Sequence, residues 1–91
     1  MRSKFAIIKP MTKDEVRRAV LVTLKAGNAE AMTLSRQMNV GYGKASQLHK
    51  LLYDAGVIVD SSFKGTVVLL TDEAQATNAA LRQFNKQRVK A

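Results

Sequence analysis

Apolar residues between Thr12 and Gly27 recur at spacings of three and four, which predicts an amphipathic helix docked by one face. Thr12 and Glu15 have the spacing of a capping box, in which each side chain binds the other residue's backbone N–H. The helix should therefore begin at Thr12 and end at Gly27-Asn28. Its predicted buried stripe is Val16, Ala19, Val20 and Leu24.

A second, shorter helix is predicted after Thr33, whose hydroxyl can cap the free N–H groups of a first turn. Leu34 and Met38 then lie four residues apart on one face. We assign the preceding pair, Ala31-Met32, to a very short strand, because winged folds have one at this position.

A third helix should follow a tight turn at residues 39–41, where one apolar residue stands between an asparagine and a glycine. The helix should begin at Tyr42 or Gly43 and stop at Gly56. Its apolar stripe is Ala45, Leu48, Leu52 and Ala55.

The pattern then changes to two β-branched and aliphatic runs, 57–59 and 66–70, which predict a β-hairpin with a loop that contains Gly65. In the loop, we expect Phe63 to pack under the hairpin rather than lie exposed. Lys64 should lie where it can contact a phosphate backbone.

A fourth helix is predicted from Thr71 as N-cap to about Gln87. Its apolar stripe is thin for a lone helix, so it either packs on the first helix or pairs with a second copy of the chain. The residues assigned to a dimer interface are Ala74, Thr77, Leu81 and Phe84.

These elements predict an α+β, mainly helical fold: a winged helix-turn-helix with a three-helix core, a hairpin wing and an extra C-terminal helix. The expected organisation is a basic arm at 1–11, the winged domain at 12–71, and a helix with a basic tail at 72–91. The arm is either a short edge strand or a flexible segment.

The charge of the chain indicates what it binds. Its 91 residues permit one modest core, and 15 Lys and Arg against 7 Asp and Glu give a net charge of +8. Such a small basic protein attracts polyanions, with nucleic acid the first candidate. No apolar run reaches the roughly 18 residues of a spanning helix. We expect a cytoplasmic protein, since the absence of cysteine fits a reducing compartment.

The polar side of the third helix is the candidate DNA-reading surface. No acid occurs from Ala31 to Tyr53. Lys, Gln and Ser side chains can bind base edges in the major groove. The residues assigned to base reading are Gly43, Lys44, Ser46, Gln47 and Lys50, and those assigned to the DNA backbone are Thr33, Arg36, Tyr42, Tyr53 and Lys64. An ordinary solvated helix face has the same polar pattern.

Enzymatic interpretations find little support. The single histidine, His49, has no cysteine or second histidine for a metal site, and we interpret it as a boundary residue of the third helix. The glycines around Lys44 lack the spacing of either nucleotide-binding loop. We therefore expect no catalytic activity, no metal and no cofactor.

The run from Thr33 to Ile58, with Val40-Gly41-Tyr42-Gly43-Lys44-Ala45-Ser46-Gln47-Leu48 at its centre, resembles the gamma domain of FtsK-type DNA translocases. That family has Ile-Gly-Tyr-Asn-Arg-Ala-Ala-Arg-Leu at the centre. The resemblance covers roughly 30 residues and implies a winged helix that reads short duplex sequences. The departures at Gly43, Lys44 and Gln47 fall on the reading face, so the family's guanine-rich target is not implied.

The sequence thus predicts sequence-specific binding of double-stranded DNA, as a small transcriptional regulator and a homodimer. The match contains no motor domain, so we expect a free-standing regulator rather than a translocase. Two alternatives stay open: a non-specific architectural DNA-binding protein, favoured by the basic ends of the chain, and a winged helix that binds a protein partner.

Overall fold

The computed structural model describes residues 11–61 and 65–90, with the side chains of residues 88–90 excepted. Four helices and a two-stranded antiparallel sheet make up this part of the chain, so the fold is α+β and mainly helical. Predictions for the arm before Met11 and for Phe63 and Lys64 in the hairpin loop lie outside the described residues, as do those for the side chains of the basic tail after Gln87. The backbone of that tail continues the fourth helix to Lys90, beyond the predicted end near Gln87.

Helix α1, Lys13–Ala26, begins and ends as the sequence predicts. The Glu15 N–H donates to Thr12 Oγ1 at 3.2 Å, and the Thr12 N–H donates to Glu15 Oε1 at 2.9 Å, which completes the capping box. Gly27 ends the helix with φ 80°, a left-handed conformation that glycine adopts without steric cost. The buried face contains Thr23 in place of the predicted Leu24, which is half-buried.

Helix α2, Ala31–Met38, begins three residues earlier than expected. The predicted strand at Ala31-Met32 is wrong, and so is Thr33 as N-cap, because Glu30 takes that position without a side-chain cap. Asn28 turns the chain into the helix by accepting the Glu30 N–H at 3.1 Å. Ala31 then extends the buried stripe of Leu34 by one turn.

The turn between α2 and α3 is held by side chains from two helices. Asn39 has a left-handed φ of 57°, and its N–H donates to the Ser35 carbonyl. The Ser35 hydroxyl donates to the Val40 carbonyl at 2.7 Å, and Arg18 of α1 donates to the Met38 carbonyl at 3.2 Å. These bonds fix the direction in which the next helix leaves the turn.

Helix α3, Tyr42–Asp54, begins at the predicted residue and buries Ala45, Leu48 and Leu52 as expected. It also buries Leu51, which the predicted stripe omitted. The chain reverses after the helix at Gly56, which has φ 82°. Gly56 thus provides the predicted stop.

The hairpin consists of β1, Ile58–Ser61, and β2, Gly65–Val68, with Ile58 opposite Val68. Both strands differ from the predicted runs, 57–59 and 66–70, at both ends. Val57 lies before β1, and its carbonyl accepts the N–H groups of Leu69 and Leu70 at 2.7 and 3.2 Å. Because one carbonyl accepts both N–H groups, the regular strand pairing ends at Val68, and residues 69–70 do not extend β2.

Helix α4, Glu73–Lys90, packs chiefly against α1 and in part against α3. Its cap is one residue later than predicted: the Gln75 N–H donates to the Asp72 carboxylate at 2.9 Å, so Asp72 replaces Thr71. The core side of α4 is Ala76, Ala80 and Phe84. Of the two predicted placements, α4 therefore takes the one against the first helix. None of the helices in the described ranges is both long and apolar enough to cross a bilayer.

Candidate nucleic-acid interface

The outward side of α3 is the candidate interface, and its geometry follows from the helix angle. A helix turns about 100° per residue, which places Ser46 and Lys50 opposite the buried Leu48 and Leu52. Gly43, Gln47 and Lys50 are exposed and Ser46 is half-buried. Four of the five predicted base-reading residues thus lie together on one accessible face, called here the α3 face: Gly43, Ser46, Gln47 and Lys50.

Lys44 does not belong to the α3 face. Its side chain is only 15% exposed, and its Nζ donates to Glu15 Oε2 of α1 at 2.8 Å. The reason is again the helix angle, because Lys44 stands one turn before Leu48 and two turns before Leu51, both of which are buried. The predicted base-reading role of Lys44 is therefore not supported by its position, and sequence polarity alone misplaced it.

Glu15, which the sequence analysis used only as a cap, holds two elements together. Its Oε1 accepts the Thr12 N–H, while its Oε2 accepts the Lys44 ammonium, and its side chain is 17% exposed. Burial raises the pKa of Glu15, but the hydrogen bonds from Lys44 and Thr12 outweigh it, so the pKa lies below its usual value. The carboxylate is thus stabilised in its charged form.

The sequence from Ala31 to Tyr53 contains no acid, but acids from outside this run lie close to α3 in the fold. Lys50, whose side chain is 73% exposed, contacts Asp54 on the next turn at 3.3 Å. His49 contacts the Ala29 carbonyl through Nδ1 at 2.8 Å and Asp60 of the hairpin through Nε2 at 3.5 Å. Lys44, His49 and Lys50 of α3 therefore each have an acidic neighbour, and the positive potential of the helix is lower than its composition indicates.

His49 is half-buried at the edge of the α3 stripe, as expected for a boundary residue. Asp60, which contacts it, is a residue that the sequence analysis did not single out. Its approach depends on how the hairpin folds back on α3, and no local pattern indicates that.

Two grooves flank the α3 face. One, about 470 Å³, separates α3 from the hairpin and is lined by Tyr42, Ser46 and His49 together with Glu30, Asp60 and Thr66. The other, about 440 Å³, separates α3 from the end of α4 and is lined by Met11, Ser46, Gln47, Lys50 and Gln87. Ser46 lines both grooves, so the α3 face forms a ridge with a groove on each side.

The predicted backbone contacts are spread over two helices. Tyr42 and Tyr53 are 60% and 46% exposed, and both lie on the side of α3 that contains Ser46. Arg36 is exposed near the end of α2 and makes no ion pair with another described residue. Thr33 is half-buried within α2, and Lys64 lies outside the described residues.

The residues assigned to a dimer interface lie along one stripe of α4, because they are three or four positions apart, but they differ in burial. Phe84 is 6% exposed and belongs to the core of the chain. Thr77 and Leu81 are half-buried, and Ala74 is exposed. A second copy could therefore contact Ala74 and the outer edges of the half-buried pair without disturbing the core.

Within residues 11–61 and 65–90, no three His, Asp or Glu side chains are grouped closely enough to hold a metal ion. Comparison of the chain with protein families, with curated proteins and with solved structures found no match. The resemblance to the FtsK gamma domain thus stays a prediction from sequence.

Proposed function

We propose that this chain is a winged helix-turn-helix protein that binds double-stranded DNA by placing the α3 face in the major groove. The observation that carries the proposal is the exposure of Gly43, Gln47 and Lys50 beside Ser46 on one side of a helix that a fixed turn presents at the surface. A helix of 13 residues is about 20 Å long, and the major groove is about 12 Å wide, enough to admit one helix.

The side chains of the α3 face have the chemistry of base reading. A glutamine amide such as Gln47 can form two hydrogen bonds with adenine, and the Ser46 hydroxyl can donate or accept. Gly43 has no atom within 4 Å of the position where a Cβ would stand, so a base edge can approach its backbone closely. These three residues need no positive charge for this role.

Lys50 can contribute to DNA binding although it forms an ion pair with Asp54. Its contact with Asp54 is exposed, and exposed ion pairs stabilise a protein by only about 0 to 1 kcal/mol, so a guanine or phosphate can replace the carboxylate. Tyr42, Tyr53 and Arg36 flank the face and would contact phosphates. In this proposal the protein is a small cytoplasmic transcriptional regulator that binds two half-sites as a homodimer.

The test is to select bound sequences from a random duplex pool and then to compare two alanine variants. Gln47→Ala should weaken binding to the selected duplex by about 1 to 3 kcal/mol and have little effect on random duplex, because Gln47 would bind a base. Gln37→Ala is the matched control, since Gln37 is also exposed but lies on α2, next to Val22 and Lys25 of α1. Equal losses on selected and random DNA would remove Gln47 from the reading set.

Non-specific duplex binding is a second candidate, and the distribution of charge favours it. Both lysines of α3 have acidic partners, whereas Arg82 and Lys86 of α4 have no ion pair with a described residue. No acid follows Glu73, while four basic residues do. If this candidate is correct, the random pool yields no enriched sequence, and Lys86→Gln lowers the salt dependence of binding by about one unit on every duplex.

A further inference from the structure

The contact between Glu15 and Lys44 has a consequence for DNA binding if the proposed function is correct. The two residues are 29 positions apart and join α1 to the first turn of α3 at 2.8 Å. We infer that Glu15 restrains Lys44 and thereby limits the affinity of α3 for DNA of any sequence, which makes Glu15 a specificity-determining residue that does not itself contact a base.

The charges explain the direction of the effect. An ammonium in contact with a carboxylate adds no net positive charge to the helix, so the pair releases no counterion from DNA. The carboxylate would in addition repel an approaching phosphate. Both side chains are less than a fifth exposed, at 15% and 17%, so solvent weakens their interaction less than it weakens the exposed pair of Lys50 and Asp54.

A restrained lysine favours discrimination between sequences. Contacts with phosphates strengthen binding to all duplexes equally, whereas contacts with base edges strengthen binding to one. Because the ion pair with Glu15 keeps Lys44 from contacting phosphates, Ser46 and Gln47 contribute a larger share of the binding energy. The ratio of specific to random affinity is therefore higher with the pair than without it.

Glu15→Gln is the informative variant because glutamine preserves the helix cap. A glutamine at this position can still accept the Thr12 N–H in a capping box, but it no longer neutralises Lys44. Asp14→Asn is the matched control: it removes the same charge one residue away, from a side chain that is 86% exposed and contacts Arg17 instead of Lys44.

The experiment titrates fluorescent duplexes, one of random and one of selected sequence, with the wild type and each variant at several salt concentrations. Glu15→Gln should raise the affinity for random duplex about three- to tenfold at low salt and steepen the salt dependence by about one unit. Asp14→Asn should change the affinity for random duplex and the salt dependence by clearly less. The ratio of selected to random affinity should fall for Glu15→Gln alone.

The double variant Glu15→Gln/Lys44→Gln tests the same inference without a free charge at the site. It replaces the ion pair with two amides, so its affinity for random duplex should equal that of the wild type. A clear loss in this variant would show that Lys44 contacts phosphates in the wild type, and would overturn the inference even if the single variant did not fold.

The outcomes separate the inference from the proposed function. If the wild type binds duplex DNA but Glu15→Gln and Asp14→Asn behave alike, the restraint is refuted and DNA binding stands. If neither the wild type nor Glu15→Gln binds duplex DNA, the proposed function is refuted, and the restraint with it. If Glu15→Gln binds duplex DNA and the wild type does not, the inference is supported, because DNA then binds only after the charge of Glu15 is removed.

Discussion

The two ends of α3 each hold one lysine with one acidic partner, yet the two pairs differ in nearly every physical respect. Lys44 is 15% exposed and reaches Glu15 of another helix at 2.8 Å, whereas Lys50 is 73% exposed and reaches Asp54 of its own helix at 3.3 Å. The first pair joins two elements of the fold, and the second lies on the surface. The comparison shows that the angle of a residue around the helix decides which acidic partner it meets, and through that partner how available it is to a ligand.

The largest expected effect is on stability. Lys44→Ala should lower the free energy of unfolding by about 1 to 3 kcal/mol, because it leaves the half-buried Glu15 carboxylate without its charged donor. Lys50→Ala should change it by no more than about 0.5 kcal/mol, because its pair is exposed. Urea denaturation followed by circular dichroism measures both. Equal losses of unfolding free energy in the two variants would show that the two ion pairs do not differ in what they contribute to stability.

The position of Lys44 could have been predicted from the sequence, although polarity led to the wrong assignment. The residues one and two turns later are leucines, and a residue aligned with Leu48 and Leu51 faces the same side as they do. The cap at Thr12 and the start of α3 were predicted correctly because both depend on contacts between near neighbours along the chain.

Other features depend on contacts that no short segment encodes. Helix α2 begins at Ala31 because Asn28 turns the chain and the core accepts one more turn, which overrides the cap preference of Thr33. Likewise, the acids that approach α3 come from α1 and from the hairpin. The outward position of Gln47 was predicted, whereas the acidic partners of Lys44 and His49 required the tertiary structure.

A smaller effect concerns pH. Because the pKa of Glu15 is lowered in the folded protein, its contribution to stability is fully present above the ordinary glutamate pKa of 4.5, and is lost as the pH falls through the folded value. Glu15→Gln lacks this contribution at every pH. The stability advantage of the wild type over Glu15→Gln, measured by urea denaturation, should be constant near neutral pH and shrink below pH 4.5. An advantage that does not change on acidification would show that the carboxylate is not its source.

At Gly43 the expected change in stability is modest, and it opposes the expected change in binding. Alanine favours helices over glycine, and a Cβ at this position meets no atom within 4 Å, so Gly43→Ala should stabilise the fold by about 0.5 to 1 kcal/mol. The added methyl group would lie on the α3 face and should weaken binding to the selected duplex. Thermal unfolding and DNA titration of the same sample measure the two effects. A gain in stability without a loss of affinity would mean that DNA does not approach Gly43.

The most direct test of the α3 face is to follow backbone amide signals by NMR while duplex DNA is added. If the α3 face binds DNA, the largest shifts should occur at Gly43, Ser46 and Gln47, with smaller shifts at Arg36 on α2. Shifts confined to Arg82, Lys86 and the end of α4, with the α3 signals unchanged, would contradict DNA binding by the α3 face and assign it to the basic end of the chain.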